Sequence, residues 1–590
     1  MGYKPIRLNL SHKSGDLKEY LLNQNKAQTR DSITPWTMDI LSNVGMALSE
    51  TARRMPDAIA VAAPRKGKKE NGKLVYTKIT FADLEAKSNQ IALGVQQLGI
   101  KPGTRLALMV PPGIEFVSYV FGLFKAGIVT ILIDPGMGRK NMIRCLSEAV
   151  PRGIVGIRKA QLARCVFRRH FPDAKSNILV GRGFWPGCYS GQRFEQLDAH
   201  KFRPVEQSRE APAAIIFTTG STGPPKGVLY RHRIFLEQAR QIRDYFQILP
   251  GSVDVSGFPL FALFNAAMGT TTVFPEMDAT RPAEVDPRNI LDAVEHFQAD
   301  QSFGSPALWN TVSIYCEANQ LSLPSIRRVL TAGAPAAPHV LDRVKRMIHP
   351  DGEVYTPYGA TEALPVACNS ATVILSETSR GTENGLGTCV GKKFPDINWK
   401  VIQISDQPIS SIEDVTCSPP GEIGELIVRG AVVSDQYVTR TEANVHHKIR
   451  DGQGFWHRMG DVGYLDEYDR FWFCGRKSHR VRTARGTLFT IPVEGVINQH
   501  HKVYRSALVG LGKPGDQVPV VIVEPWPEHF SPSRANQQEL LASIRQLAQD
   551  HAKTSEVEHF LIRKKLPVDI RHNSKIFREQ LAVWAASKIS

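Results

Sequence analysis

The amino-acid sequence predicts an α/β protein with a large N-terminal domain of helix-covered sheets, a β-rich subdomain and a small α+β C-terminal domain. Three observations lead to this prediction. Short apolar strands alternate with helical stretches up to about residue 385, shorter strands separated by turns follow, and a basic connector then leads into a smaller α/β region. With 590 residues, the chain is too long for one simple core.

The clearest βαβ unit lies at residues 105–133. Residues 105–110 form an apolar strand-like run, residues 116–125 have helical periodicity closed by Gly127, and residues 128–133 are again strand-like. Glu115, Lys125 and the Pro-Pro-Gly at 111–113 interrupt this tract, so it does not read as a membrane-spanning helix. Similar short strands recur at residues 154–157, 176–180, 213–218 and 328–331.

The pattern changes near residue 385. The shorter strands predicted there lie at residues 399–402, 425–428 and 470–473, and the smaller region beyond them has apolar strands at 507–510 and 520–523. The connector at 476–485 carries five Lys or Arg residues. We therefore predict one domain at residues 1–475 and a second at 476–590.

The composition favours an intracellular protein with anionic partners. The formal net charge is +16, which suits nucleotides, acidic proteins, nucleic acid or anionic lipid surfaces. The eight cysteines are scattered and form no C-x-x-C pair, so neither a disulfide framework nor a zinc site is indicated. The first 35 residues are charged and lack an apolar stretch, so we expect no signal peptide and a cytoplasmic location.

The sharpest local signal is a loop that follows the apolar strand at 213–218. It is dense in Gly, Ser and Thr and contains Lys226, so it offers backbone N–H groups, hydroxyls and one ammonium to a phosphate chain. Pro225 and Gly227 flank the lysine where a P-loop requires Gly and Ser or Thr, which disfavours a P-loop ATPase or kinase. The alternative is that this segment is an ordinary flexible loop with no phosphate-binding role.

With this loop, the sequence resembles the adenylate-forming enzymes, which include acyl-CoA synthetases, luciferases and peptide-synthetase adenylation domains. The resemblance covers nearly the whole chain. Each further motif is weak alone, but together they follow the family's order: Thr331-Ala-Gly-Ala-Pro335, Tyr358-Gly-Ala-Thr-Glu362, Gly424-Glu-Leu426, Gly460-Asp461, Gly475-Arg476 and the C-terminal Lys575.

The resemblance implies ATP and Mg²⁺ as cofactors and assigns roles to these motifs. Lys575 would bridge the substrate carboxylate and the α-phosphate, Thr361 would hydrogen-bond the α-phosphate, and Glu362 would bind Mg²⁺. Asp461 and Arg476 would hold the ribose. The remaining nucleotide residues would be Thr218, Thr219, Gly220, Ser221, Thr222, Gly223 and Lys226 at the phosphates, and Gly333, Ala334, Pro335, Tyr358 and Gly359 near the adenine. Each could instead serve a structural role.

Several stretches resemble one branch of this family, the β-lactone synthetases of bacterial long-chain olefin biosynthesis. Examples are residues 223–232, 258–264, 277–282, 303–308, 457–463 and 568–573. The resemblance implies a long-chain 2-alkyl-3-hydroxy fatty acid that is adenylated and then closed by its own hydroxyl. Candidate substrate contacts are Phe261, Phe264, Gly304 and Ser305, although aromatic residues at such spacings are more often plain core.

Three positions depart from the wider family. Ala262 stands where many acyl-CoA synthetases carry His, Ser478 replaces the usual hinge acid, and Ser574 replaces the Gly before the catalytic lysine. The family's small domain is mobile and rotates between half-reactions, so Ser478 leaves the extent of that rotation open. No base for the hydroxyl is identified, since His232, the nearest motif-borne imidazole, more often has a structural role.

Two competing functions stay open. An acyl-CoA or acyl-carrier-protein ligase would share every ATP residue and differ in the acceptor. A nucleic-acid-binding protein would explain the charge, but the basic connector lacks interleaved aromatic residues, so we expect no nucleic-acid partner. The positive net charge is better explained by docking to other olefin-pathway enzymes in an assembly, or by peripheral contact with a membrane.

Overall fold

The computed structural model describes residue 38 and residues 41–218, 223–569 and 575–589, and there it shows a mixed α/β fold. The first described elements are helix α1 (Gly45–Arg54) and the antiparallel strands β1 (Ile59–Glu70) and β2 (Lys73–Thr80). This strand pair forms one edge of the larger of two main sheets.

The smaller main sheet is built next and confirms the predicted βαβ units. The helices of this stretch are α2 (Phe81–Gln97), α3 (Ile114–Lys125), α4 (Arg139–Glu148), α5 (Arg158–Val166) and α6 (His232–Phe246). The strands are β3 (Arg105–Met109), β4 (Val129–Leu132), β5 (Gly153–Gly156), β6 (Ile178–Leu179), β7 (Tyr189–Ser190), β8 (Pro212–Phe217) and β9 (Gly227–Arg231). Their spatial order is β7-β6-β5-β3-β4-β8-β9, with all pairs parallel except β8 and β9.

Helix α3 illustrates why this stretch packs as it does. Nearly all of its residues are apolar and buried, so it lies inside the protein and not at its surface. Lys125 at its end is fully buried, and its ammonium donates to Glu85 at 2.5 Å, Ser88 at 2.7 Å and Asn89 at 2.8 Å. Burial nevertheless lowers the pKa of Lys125 to about 8. Across the described parts of the chain, no helix has the length and apolar character needed to cross a membrane.

The larger main sheet contains the next run of strands. These are β10 (Val253–Ser256), β11 (Thr271–Val273), β12 (Gln301–Gly304), β13 (Arg328–Thr331), β14 (Glu353–Ala360), β15 (Ala363–Ser370), β16 (Thr388–Lys393), β17 (Asn398–Ile402), β18 (Gly424–Arg429), β19 (Lys448–Asp451), β20 (Gly454–Leu465) and β21 (Arg470–Arg476). The order along the sheet is β17-β18-β20-β21-β16-β15-β14-β13-β12-β10-β11-β1-β2, with β19 paired to β20. Pairing is parallel from β11 to β14 and antiparallel from β14 to β17, which confirms the predicted β-rich subdomain.

Helices cover this sheet and bury its apolar face. They are α7 (Phe261–Met268), α8 (Pro287–Phe297), α9 (Pro306–Ala318), α10 (Pro338–Met347), α11 (Ala371–Val373), α12 (Ser379–Glu383) and α13 (Ala443–His447). Trp309 of α9 is 1% exposed and packs in a core cluster with strand residues such as Val255 and Val329. Such burial of large apolar side chains is the main favourable contribution to the stability of this layer.

The C-terminal region forms a small α+β unit, as expected. Its elements are β22 (Val481–Arg482), β23 (Thr487–Leu488), α14 (Thr490–Ile497), β24 (Val503–Leu511), β25 (Val518–Pro525), α15 (Arg534–Gln549), β26 (His559–Ile562) and α16 (Arg578–Ile589). Strands β24, β25 and β26 form a sheet in that order, and β24 and β25 contain both apolar runs predicted here. The domain boundary at 475/476 stays a prediction, and it falls within β21.

The basic connector is held by acids of the same chain. Glu425, which is fully buried, accepts from Arg458 at 2.5 Å and from Lys477 at 2.9 Å. Farther along, Arg480 and Arg482 both pair with Asp406, at 2.6 and 3.3 Å. These contacts give three of the five basic residues of the connector, Lys477, Arg480 and Arg482, an acidic partner within the chain.

The buried Glu425 carboxylate makes Arg458 a stability determinant. Replacing Arg458, which is 1% exposed, by Met should lower the free energy of unfolding by about 3–5 kcal/mol, because a buried carboxylate loses a charged partner. Urea denaturation measures this value. Arg53→Met, which breaks the exposed pair with Glu50, is the matched control and should change stability little. Equal effects of the two substitutions would contradict this account of Glu425.

Candidate active site

The carboxyl ends of parallel strands from both main sheets converge on one cavity of about 1620 Å³. Strands β3, β4 and β8 contribute from the smaller sheet, and β10, β12 and β13 from the larger. Open α/β sheets commonly bind ligands at this end of their strands. The predicted site residues that line the cavity are Thr218, Gly223, Lys226, Phe261, Phe264, Ser305, Gly333, Gly359, Thr361, Glu362, Arg476 and Lys575. Gly304, Ala334, Pro335, Tyr358 and Asp461 are not among the residues that line it.

The predicted phosphate loop is closed at its base by two hydrogen bonds. The Thr218 N–H donates to the Lys226 carbonyl, and the Lys226 N–H donates to the Thr218 hydroxyl, both at 3.0 Å. These bonds fix the two ends of the loop and place the Lys226 side chain in the cavity wall. Thr219, Gly220, Ser221 and Thr222, which were predicted to bind phosphate, lie outside the described residues.

Glu362 lies in the turn between β14 and β15, where the sheet changes from parallel to antiparallel pairing. Its Oε1 accepts a hydrogen bond of 2.6 Å from the Tyr437 hydroxyl. The Lys226 ammonium lies 4.6 Å from the centre of the Tyr437 ring, which is within range of a cation–π contact. Burial lowers the pKa of Lys226, while the nearby Glu362 opposes this effect. Lys226 and Glu362 therefore form one electrostatically coupled group.

Sequence reasoning missed three further members of this group, Tyr437, His447 and Lys448. The His447 Nε2 atom lies 3.2 Å from the Lys226 ammonium, and its Nδ1 lies 3.4 Å from the Arg458 carbonyl oxygen. This geometry suits a neutral ring that donates from Nδ1 and accepts at Nε2. Burial, together with Lys226, lowers the pKa of His447 to about 4, and burial lowers that of Lys448 to about 7. The available signal was the basic run at 446–448.

Asp461 and Arg476 face each other across the antiparallel strands β20 and β21. The Arg476 guanidinium lies 3.0 Å from Asp461 Oδ1 and also donates to the Met459 carbonyl at 3.1 Å. The Tyr358 hydroxyl donates to Asp461 Oδ2. Burial raises the pKa of Asp461, an effect that Arg476 opposes. The structure thus brings together the two residues predicted to hold the ribose, although they are 15 positions apart in sequence.

The glycine of the Gly475-Arg476 motif has a packing role. Gly475 has φ +133°, and a Cβ there would lie 2.4 Å from the Thr490 hydroxyl. A larger residue would therefore push α14 away from the end of β21. This close approach fixes the position at which Arg476 leaves the strand.

Lys575 reaches the same cavity from the C-terminal region. Its backbone is anchored to Asp569: the Lys575 N–H donates to the Asp569 carboxylate, and the Asp569 N–H donates to the Lys575 carbonyl, both at 3.0 Å. Residues 570–574, including Ser574, are outside the described residues. The Thr361 carbonyl accepts from the Tyr230 hydroxyl at 2.7 Å, which holds the turn that carries Glu362.

The other end of the cavity is apolar and aromatic. The rings of Phe261 and Phe303 stack with centroids 4.4 Å apart, and Phe264 packs edge-on to Phe261 at 5.8 Å. Ser305 caps α9 by accepting from the Leu308 N–H at 3.3 Å. Gly304 approaches Trp309 so closely that a Cβ would lie 2.9 Å from the indole nitrogen. Phe261, Phe264 and Ser305 thus face the cavity, whereas Gly304 faces the core.

His232 has a structural role, as the sequence favoured. Its Nδ1 accepts from the Val44 N–H at 3.2 Å, its Nε2 lies 2.7 Å from the Gln207 side-chain oxygen, and the residue is 1% exposed. It does not line the cavity. The imidazoles that do line it, among the described residues, are His447 and His457.

The charged groups of the cavity fit a nucleoside triphosphate with Mg²⁺. Three cations, Lys226, Arg476 and Lys575, share the cavity with the Thr361 turn and the Glu362 carboxylate. Among the described residues, no cluster of three His, Cys, Asp or Glu side chains could hold a metal by itself. Mg²⁺ commonly takes one or two carboxylates together with substrate phosphates and water, so the Glu362 carboxylate in the cavity suits this ion. Glu362 is the residue that would hold it, and the ion would neutralise phosphate charge.

The chain resembles known proteins over most of its length. A family model described as AMP-binding enzyme matches residues 48–438. An olefin β-lactone synthetase from Xanthomonas campestris pv. campestris is 42% identical, over 93% of this chain and 99% of that protein. Another from Stenotrophomonas maltophilia is 41% identical, over 93% of this chain and 98% of that protein. A long-chain-fatty-acid–CoA ligase from Salmonella typhimurium is 25% identical over 76% of this chain and 82% of its own length.

Solved structures share the fold at lower identity. An anthranilate CoA ligase in complex with anthranoyl-AMP superposes with a TM-score of 0.75 and 18% identity, covering 94% of this chain and 100% of that one. An O-succinylbenzoate coenzyme A synthetase from Bacillus subtilis, in complex with ATP and magnesium ion, superposes with a TM-score of 0.69 and 20% identity, covering 91% of this chain and 98% of that one. These similarities confirm the predicted fold class.

The neutral state of His447 makes a testable contribution to acid stability. Its pKa is about 4 in the folded protein and about 6.5 in the unfolded chain, so the unfolded state binds more protons between these values. The free energy of unfolding should therefore fall as pH drops from 6.5 to 4, by about 3 kcal/mol more in the wild type than in His447→Gln. Urea denaturation at several pH values measures the difference. His446→Gln, at the exposed neighbouring position, should keep the wild-type pH dependence of stability. If His447→Gln also keeps it, the lowered pKa of His447 is refuted.

Proposed function

The chain belongs to the AMP-binding enzyme family, and on this basis we propose that it is an ATP-dependent, AMP-forming olefin β-lactone synthetase. Its substrate is a long-chain 2-alkyl-3-hydroxy fatty acid. The enzyme adenylates the carboxylate, releases pyrophosphate, and then closes the 3-hydroxyl onto the acyl carbon with release of AMP. The two β-lactone synthetases that are 42% and 41% identical over 93% of the chain support this choice of branch.

The observation that best supports the proposal is the continuity of the cavity. One end carries the cations and the carboxylate that an ATP site requires, and the other end is walled by Phe261, Phe264 and other apolar side chains. A fatty acid bound with its tails among these rings would present its carboxylate toward Glu362 and Lys575. A single cavity of about 1620 Å³ therefore serves both the nucleotide and the acid.

In the first step, a carboxylate oxygen attacks the α-phosphorus and pyrophosphate leaves. Two anions must approach each other, so the barrier depends on positive charge placed between them in advance. We assign this role to Lys575, which lines the same cavity as Glu362. Lys226 holds the leaving phosphates, and Arg476 with Asp461 holds the ribose. Bound Mg²⁺, held by Glu362, would supply further neutralisation of the phosphate charge.

In the second step, the 3-hydroxyl oxygen attacks the acyl carbon and the bond to AMP breaks. The nucleophile is already attached to the substrate, so the enzyme needs to fold the acid into an attack geometry and exclude water. The apolar end of the cavity serves both needs. Burial lowers the pKa of both cavity imidazoles, to about 4 for His447 and well below the ordinary value for His457, so both rings stand neutral in the cavity wall.

A long-chain acyl-CoA ligase is the second candidate, because the Salmonella ligase shares 25% identity with this chain. The two functions share the first step and differ in the acceptor. Ala262, where many acyl-CoA synthetases carry His, lies buried in α7 and does not line the cavity. A thiol-directing histidine is therefore lacking at that position.

The proposal also includes a cytoplasmic location, which suits the eight free thiols, and assembly with other olefin-pathway enzymes.

The acceptor can be tested with a synthetic 2-alkyl-3-hydroxy acid and ATP, with and without CoA. We expect β-lactone, AMP and pyrophosphate without CoA, and no change on adding it, with products identified by NMR. The matched control is the same acid without the 3-hydroxyl, which should support ATP–pyrophosphate exchange but yield no lactone. Thioester formed only with CoA would establish the ligase instead, and ADP with inorganic phosphate would refute both.

The role of Lys575 can be tested separately from the acceptor. Lys575→Ala should slow ATP–pyrophosphate exchange by about 10²–10³-fold, because one preorganised cation is lost from the transition state. Lys565→Ala, which removes an exposed lysine ten positions earlier, should exchange at the wild-type rate. Thermal unfolding of both variants should match the wild type. Unchanged exchange in a folded Lys575→Ala protein would remove this residue from the mechanism.

A further inference from the structure

Helix α5 has apolar residues on the side that faces solvent. Leu162 and Val166 are 52% and 65% exposed, although a surface helix normally turns its apolar residues inward. The loop at 181–188 adds Phe184, which is 76% exposed. Clustered exposed apolar side chains of this size commonly mark an interaction surface.

The loop is held against the helix, so these side chains belong to one surface. The Arg158 guanidinium donates to the Arg182 carbonyl at 3.3 Å, and the Arg164 guanidinium lies 3.8 Å from the Cys188 sulfur. Both arginines lie in α5, and both partners lie in the loop that carries Phe184. The loop that carries Phe184 is thus held against the helix that carries Leu162 and Val166.

The same stretch of chain is strongly basic. Residues 158–182 contain one acid, Asp173, and it is paired with Arg152 at 3.3 Å. The basic residues there are Arg158, Lys159, Arg164, Arg168, Arg169, Lys175 and Arg182. Exposed apolar residues surrounded by Lys and Arg are the combination that binds an anionic lipid surface, because the cations meet the headgroups while the apolar tips enter the interface.

Helix α5 also forms part of the cavity wall. Lys159, Ala160 and Ala163 line the cavity, and Lys159 is exposed, so the cavity reaches the surface at this helix. Leu162 and Val166 lie three and seven positions after Lys159, so they share a side of the helix with this residue. The exposed apolar residues and the cavity therefore lie next to each other along one helix.

We propose that the basic–apolar face, defined as Lys159, Leu162, Val166, Arg168, Arg169 and Phe184, docks the protein on an anionic lipid bilayer. A long-chain acid dissolved in the bilayer would then enter the cavity past α5 without crossing water. The choice of a lipid surface over an acidic protein rests on the exposed apolar tips and on their continuity with a cavity for a lipid-like acid. The bilayer docking stands on surface geometry, and the identity of the delivered acid rests on the proposed function.

The test is sedimentation of the full-length protein with vesicles of phosphatidylcholine, with and without phosphatidylglycerol. We expect binding to the anionic vesicles that weakens as salt is raised, and little binding to the neutral ones. The double variant R168E/R169E should lose about tenfold or more in affinity, because each basic side chain near an anionic surface contributes roughly a factor of five. Phe184→Ser should weaken binding several-fold and leave the salt dependence unchanged.

Matched controls lie elsewhere on the chain. K564E/K565E reverses the charge of another adjacent pair of exposed basic residues. Val583→Ser removes another apolar side chain, at a residue that is 77% exposed. Both should bind anionic vesicles like the wild type. Equal losses in the controls, or equal binding to neutral and anionic vesicles, would overturn the proposal. Binding to soluble polyglutamate without binding to vesicles would assign the face to an acidic protein and also overturn it.

Activity separates this inference from the proposed function. With a short, water-soluble acid, R168E/R169E and Phe184→Ser should keep the wild-type rate of ATP–pyrophosphate exchange. With a long-chain acid supplied in anionic vesicles, their rates should fall in proportion to lost vesicle binding. Loss of exchange with the soluble acid would point to a fault in the enzyme itself and contradict a surface role, whereas vesicle binding needs no turnover and is measured independently of the reaction.

Discussion

A carboxylate removed from water must be surrounded by hydrogen-bond donors or cations, and this constraint organises the site. Glu362 is held by the Tyr437 hydroxyl near Lys226, and Asp461 is held by Tyr358 and Arg476. Behind them, Glu425 is shared by Arg458 and Lys477. Each acid is paired with a cation from another segment of the chain, so the three acids connect the loop that contains Lys226, the β-rich subdomain and the connector to the C-terminal region.

The same charges prepare the site for its chemistry. In the proposed function, ATP brings negative charge to Lys226 and Arg476. Without ATP, protein acids balance the charge of these two cations. Rearranging an existing charge network costs less free energy than burying an uncompensated cation, because the protein's cations have already been removed from water. His447, which accepts from Lys226 in this structure, offers the lysine a neutral partner when it is not engaged with phosphate. A buried but compensated set of cations is thus compatible with both stability and anion binding.

Most of the fold could be predicted from local sequence patterns. The βαβ unit at 105–133, the strand at 328–331 and the strands around 507–510 and 520–523 all appear in the structure, with bounds that shift by a few residues. Apolar periodicity and turn residues carry this information because they act within one element. The order of strands in the sheets, and the switch from parallel to antiparallel pairing at β14, could not be predicted in this way, since strand partners are far apart in sequence.

The sequence by itself determined the family, the loop that contains Lys226, and the residue types of the proposed ATP site, because short motifs of Gly, Thr, Glu, Asp and Lys indicate chemistry that needs those groups. Only the tertiary structure decided that Tyr437, His447 and Lys448 surround Glu362 and Lys226, and that His232 serves the core. Only the structure, too, showed that α5 both lines the cavity and carries exposed apolar side chains. The physical reason is that burial and proximity between distant segments set the partners and pKa values of side chains, and no local pattern encodes them.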